Sequence, residues 1–245
     1  MPPARQLLAP LASGAWPPLL LASLVGWIAV LVAGGSRGMP AICGMTGGAA
    51  DDWRALETFL AFHPPASLVL PWLLMLLAMM PPLLAQPFVH LWRGTLRRRR
   101  WRAALVFAFG YGGIWMLAGA VLIAASVALK VLAPSWLALW GATALAVLWQ
   151  ATPAKQACLN RCHRLPALSA FGLAAERDCL RYGMSAGLWC VGACWALMLV
   201  PLVAGRLSVA AMAAVSLLML LERLLPPRPV RWQLPWQGVR RLWAA

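Results

Sequence analysis

Six apolar runs, separated by short polar or basic stretches, organise the chain at about residues 16–35, 67–91, 103–125, 134–151, 185–204 and 207–225. Each approaches or exceeds the ~20 residues that cross a hydrocarbon core of about 30 Å. No run alternates with the period of a half-buried strand, and lipid offers no partner for free backbone groups, so each is expected to be helical. The pattern predicts an all-α, polytopic membrane helix bundle forming one domain over residues 1–245. Two connecting segments stand out: 36–66, expected on the outer side, and 152–183, expected in the cytoplasm and containing cysteines.

Composition supports the same solvent. Hydrophobic residues make up 62% of the chain and charged residues 11%, with a mean hydropathy of +0.76. That leaves too little polar surface for an ordinary soluble domain. The net charge of +15 does not point to nucleic acid, because the arginines lie between the apolar runs instead of along one basic face interleaved with aromatics. With both termini inside, only Arg37, Arg54, Lys130 and Arg206 of the 21 Lys and Arg fall outside. The positive-inside bias therefore predicts six spans, N-in and C-in. The first run ends in "VAGG", which has the small residues of a signal-peptide cleavage site. It is expected to remain as an anchor, since five helices would put the termini on opposite sides without improving the charge bias.

Sulfur is the candidate chemistry. Cys190, Cys194 and Met198 in "GLWCVGACWALM" are spaced i, i+4, i+8 and form one stripe on the fifth run. Met75 and Met79 make the same step on the second. A rise of ~1.5 Å per residue puts Met79 and Cys194 near the midplane, Met75 and Met198 about 6 Å outward and Cys190 about 6 Å inward. Thiolate and thioether donors at these heights suit a soft ion, Cu(I) above all, and not Mg²⁺ or Ca²⁺. Packing explains the same stripe, because methionine fills irregular gaps and free cysteine behaves as a small apolar residue.

A second pair, Cys158 and Cys162 in "CLNRCH", precedes His163. Its C-x-x-x-C spacing shows both thiols on one side of a helix, and a reducing cytoplasm disfavours a disulfide there. Lys155, Arg161 and Arg164 are expected to lower the thiol pKa, and Zn²⁺ also suits such a ligand set. Cys43 with Met39 and Met45 is a weaker outer candidate; His63 and His90 flank the second run, Cys179 has no evident partner, and Glu222 closes the sixth beside Arg223. No nucleophile with an adjacent base, phosphate-binding glycine loop or carboxylate pair supports catalysis.

These pieces together resemble a bacterial family of predicted metal-binding integral membrane proteins, domain of unknown function 2182. The matching elements are "WLLMLLAMMPP", "GYGGIW", "WQATPAKQACLNRCHRLP", "GLWCVGACWALM" and Glu222, in that order over about residues 67–225. The resemblance implies membrane location and a metal site at Cys158, Cys162, Cys190 and Cys194, without an established activity. Ala193 and Trp149 depart from the family pattern, which often has cysteine and tyrosine there. A soft-metal protein, with Met75, Met79 and Met198 added to the four cysteines, would hand copper to a metallochaperone or membrane metalloenzyme, or transport it. A noncatalytic membrane scaffold with structural cysteines is the alternative. A thiol-redox role ranks last, since a regular helix holds i, i+4 Cβ atoms about 5–6 Å apart, too far for a disulfide.

Overall fold

The computed structural model describes residues 16–35, 66–169, 171–225 and 227–232. Expectations placed on Met39, Cys43, Met45 and His63 lie outside the described residues. Among those described there is helix and no strand. The helices are α1 (Trp16–Gly35), α2 (Ala66–Met79), α3 (Ala85–Gly94), α4 (Arg100–Leu132), α5 (Ser135–Ala151), α6 (Pro153–Cys162), α7 (Gly172–Val203) and α8 (Ser208–Leu224).

Among the described residues, three stretches are long and apolar enough to cross a membrane: Arg97–Lys130, Gly172–Val203 and Gly205–Leu224. A fourth qualifies if the bent pair Val69–Met79 and Pro81–Gly94 is one span. Pro17–Val32 in α1 and the 17-residue α5 lie at the lower limit of a crossing. These helices are compatible with membrane insertion.

Two expected boundaries change for local reasons. The run at 67–91 is not one helix: α2 ends at Met79, Pro81–Leu84 form a 3₁₀ turn, and the axis bends by 54° before α3. Consecutive prolines 81 and 82 supply no N–H and crowd the preceding turn, which breaks the ladder there. The segment 152–183 is largely helical as well. Thr152 caps α6 by accepting from the Lys155 N–H at 3.2 Å, Pro153 takes the first helical position, and α7 starts eleven residues before Gly183, at Gly172.

The core is built on the long α4–α7 pair. A Cβ on Gly183 would overlap the Phe107 carbonyl oxygen, and one on Gly110 would come within 2.7 Å of the Leu180 oxygen. Both glycines thus permit a backbone approach that any side chain would prevent. Phe107, Tyr111 and Trp115, spaced i, i+4, i+8, form the buried face of α4. Leu105, Phe109, Leu117 and Val121 stand on its other side and are 69–78% exposed, an apolar surface compatible with membrane insertion. α2 reaches the core through Trp72, whose indole N–H donates to the Trp115 carbonyl at 3.2 Å.

Candidate metal centre

The sulfur stripe of α7 faces inward. Cys190, Cys194 and Met198 are all buried, and Met75 and Met79 join them in the same apolar core instead of pointing outward. Expected depth matched Met79 with Cys194, but the observed link lies slightly aside. The Tyr111 hydroxyl is 3.3 Å from Cys190 Sγ and 3.4 Å from Met80 Sδ, so it can donate to either sulfur. Met80 occupies the break between α2 and the 3₁₀ turn. The proline break thus leaves Met80 beside the Tyr111 hydroxyl that also faces Cys190. Cys194 donates its thiol to the Cys190 carbonyl at 2.8 Å, one turn back.

The second cysteine pair reaches α7 from the side. α6 is docked against the end of α8 by Lys155 Nζ on Glu222 Oε1 at 2.5 Å, with Gln150 Nε2 on the same oxygen at 3.0 Å. Glu222 therefore pairs with Lys155 and not with its neighbour Arg223. Asn160 Nδ2 donates to the Arg228 carbonyl at 2.6 Å, and the Arg228 N–H returns to Asn160 Oδ1 at 3.1 Å. This docking sets one guanidinium, that of Arg223, electrostatically beside both Cys162 and Cys190. Cys158 packs on α7 between the stripe cysteines, where a Cβ on Gly192 would lie 2.8 Å from its sulfur. All four expected cysteines thus converge on one stretch of α7.

Two expectations about this cluster are corrected. The basic residues of α6 do not lower the thiol pKa values. Burial pushes Cys158 up, only partly offset by Arg161, and pushes Cys162 up to about 12, partly offset by Arg223. Lys155 is engaged by Glu222 and the Arg161 guanidinium lies over the Trp189 ring at 4.2 Å, so desolvation prevails. His163 is not turned toward the sulfurs: Nδ1 is 2.9 Å from the Leu159 carbonyl and Nε2 is 3.2 Å from that of Arg223. His90 is likewise engaged, at 2.8 Å from the Pro166 carbonyl, and Cys179 is buried in the core.

Among the described residues, no group of three or more His, Cys, Asp or Glu side chains gathers as a metal cage. A preassembled tetrahedral site of the structural zinc type is therefore not present among them. What the arrangement offers is sulfur alone, in pairs. Sequence reasoning missed Met80, Tyr111 and Arg223. Tyr111 stands inside the "GYGGIW" element and Met80 inside "AMMPP", yet nothing in either says that a tyrosine hydroxyl and a bend will join them.

Fold and site together define a membrane-type helical protein whose buried centre combines cysteine, methionine and a single arginine. The chain belongs to the PpoB2 family, described as copper chaperones, whose family model matches residues 69–241. Its function is therefore related to copper, and the metal-related expectation holds under a different family name. No curated protein and no solved structure matches the chain significantly.

Proposed function

We propose that this chain receives Cu(I) on sulfur within a bacterial inner membrane and passes it to a metallochaperone or membrane metalloenzyme. In this reading six helices span the bilayer, both termini are cytoplasmic, and copper is cargo. Cys190 and Cys162 are the central pair, with Cys194 and Cys158 as neighbouring exchange sites and Met75, Met79, Met80 and Met198 as thioether stations along the core. Several weak sulfur sites in series let an ion enter and leave, which one closed four-cysteine cage would hinder.

The observation that supports this reading best is the docking of α6, which seats the Cys158 sulfur against Gly192 between Cys190 and Cys194 and sets Arg223 electrostatically beside Cys162 and Cys190. Cu(I) held by two thiolates carries one negative charge, and an arginine beside both sulfurs neutralises it where an unpaired charge is costly. Soft sulfur donors favour Cu(I) over hard cations, and the loosely gathered set does not provide the four-ligand tetrahedron that Zn²⁺ takes in structural sites.

The test is metal content after anaerobic purification and reconstitution with Cu(I) or Zn²⁺. Wild type is expected to retain copper in preference to zinc, and Cys162→Ser with Cys190→Ser to lose most of it. Copper content unchanged in the double variant would end this assignment of ligands. No copper under any loading condition would support the noncatalytic scaffold instead.

A further inference from the structure

Outside the sulfur core lies a cleft of about 460 Å³ between the end of α6, the connection to α7 and the first turns of α7. That is the size of a small-molecule site. Its lining includes Cys162 together with Arg161, Arg164 and Arg181, all three exposed, against one carboxylate, Asp178. Asp178 is already occupied, accepting from Ser169 Oγ at 2.5 Å and Ser169 N–H at 3.1 Å. The balance of the lining is therefore positive. Tyr182 also lines the cleft; it is 6% exposed, and its hydroxyl is buried without a hydrogen-bond partner. A buried hydroxyl left unpaired is unfavourable, and a ligand acceptor that reaches it would relieve it.

We infer that this cleft is a docking port for a small anionic thiol that carries Cu(I), and that it hands the ion to Cys162. The inference rests on the copper-carrying reading above and adds to it the chemistry of the donor. Each feature of the lining matches one part of such a carrier. The three arginines take carboxylates, the Tyr182 hydroxyl donates to one of them, and Cys162 meets the sulfur-bound metal. An anionic lipid headgroup would use the charge but would leave Cys162 without a role.

The exchange balances without any change of oxidation state. A copper ion held by two carrier thiolates forms a new bond to Cys162 sulfur as its bond to one carrier sulfur breaks. The Cys162 proton passes to the departing thiolate, copper remains +1, and the complex keeps one negative charge. Arg223, which acts electrostatically on both Cys162 and Cys190, then lies beside the next transfer.

The test uses the full chain in phosphatidylcholine nanodiscs, loaded anaerobically from Cu(I)–glutathione or from the cationic Cu(I)–acetonitrile complex. Arg164→Gln with Arg181→Gln, both exposed positions, is expected to raise half-saturation by glutathione-borne copper at least about fivefold while leaving acetonitrile-borne loading unimpaired. Tyr182→Phe should weaken the first in the same direction. Equal effects on the two carriers, or none, would overturn the port. If phosphatidylglycerol nanodiscs abolish the difference between wild type and the double variant in loading from Cu(I)–glutathione, the cleft is a lipid site and the inference also falls. Wild type that takes copper from neither complex would refute the copper-carrying reading itself, a separate result.

Discussion

Glu222→Ala is expected to loosen α6 and expose Cys162 without unfolding the bundle. Lys155 is 4% exposed and its ammonium is held by Glu222, so removing the carboxylate leaves a buried charge without its counter-ion. Breaking a buried pair from one side costs about 3–5 kcal/mol. Glu222 retains 20% side-chain exposure, which places the cost near the lower end, about 3 kcal/mol. Because α6 is a ten-residue element with few further anchors, the strain is relieved most cheaply by local undocking. At ~1.4 kcal/mol per factor of ten, the undocked population rises about 10²-fold.

Maleimide labelling of Cys162, resolved by peptide mass spectrometry, reads that population, since the residue is only 8% exposed when docked. Lys155→Met combined with Glu222→Leu removes both charges and is expected to restore slow labelling. Wild-type labelling kinetics in Glu222→Ala would show that the Asn160–Arg228 hydrogen bonds hold α6 alone. Fast labelling in the double variant would show that packing, not the ion pair, sets the dock.

Tyr111→Phe removes the hydroxyl shared by Met80 and Cys190 and should lower stability by about 1 kcal/mol, read as a drop in Tm in detergent; an unchanged Tm would mean that the sulfur contacts contribute nothing. Gly183→Ala sets a Cβ against the Phe107 carbonyl and should destabilise by about 1–3 kcal/mol, whereas Gly112→Ala meets nothing within 4 Å and should be neutral or stabilising by up to ~1 kcal/mol. Equal effects at the two glycines would contradict the close α4–α7 approach. The folded state holds the Cys162 proton up to about 12, against 9.0 for a free thiol, so it binds more protons than the unfolded chain in that window. Stability contributed by this group is therefore complete below 9.0 and declines as the pH rises toward about 12, and Cys162→Ala should flatten the decline in thermal unfolding between about pH 8 and pH 10.5.

Hydrophobic run length made the helical class legible, and i, i+4 spacing put Cys190, Cys194 and Met198 on one face, which the structure turns inward. Both inferences depend on one helix at a time. What escaped sequence reasoning depends on two. Cys190 is joined to Met80 through the Tyr111 hydroxyl, and Met80 sits there only because Pro81 and Pro82 end α2 and leave it in the break, a displacement that a straight ladder of ~1.5 Å per residue cannot anticipate. The thiol pKa values failed for a related reason. Counting cations near Cys158 and Cys162 along the chain ignores that Lys155 turns to Glu222, that Arg161 stacks on Trp189, and that the dock removes water from the thiols.

The same reasoning explains why the cation that does reach the cysteines comes from the far end of the chain. Arg223 stands in the last turn of α8, beside Cys162, with its carbonyl 3.2 Å from His163 Nε2. An arginine supplied from α6 itself would swing away with that element whenever α6 undocked. One fixed on α8 stays at Cys190 while Cys162 departs and returns. If α6 is the moving part in copper exchange, Arg223 keeps the inner sulfur compensated throughout, and Arg223→Gln should then reduce retained copper more than Arg161→Gln does. Equal retention in the two variants would remove the charge argument and leave the convergence of the cysteines to packing alone.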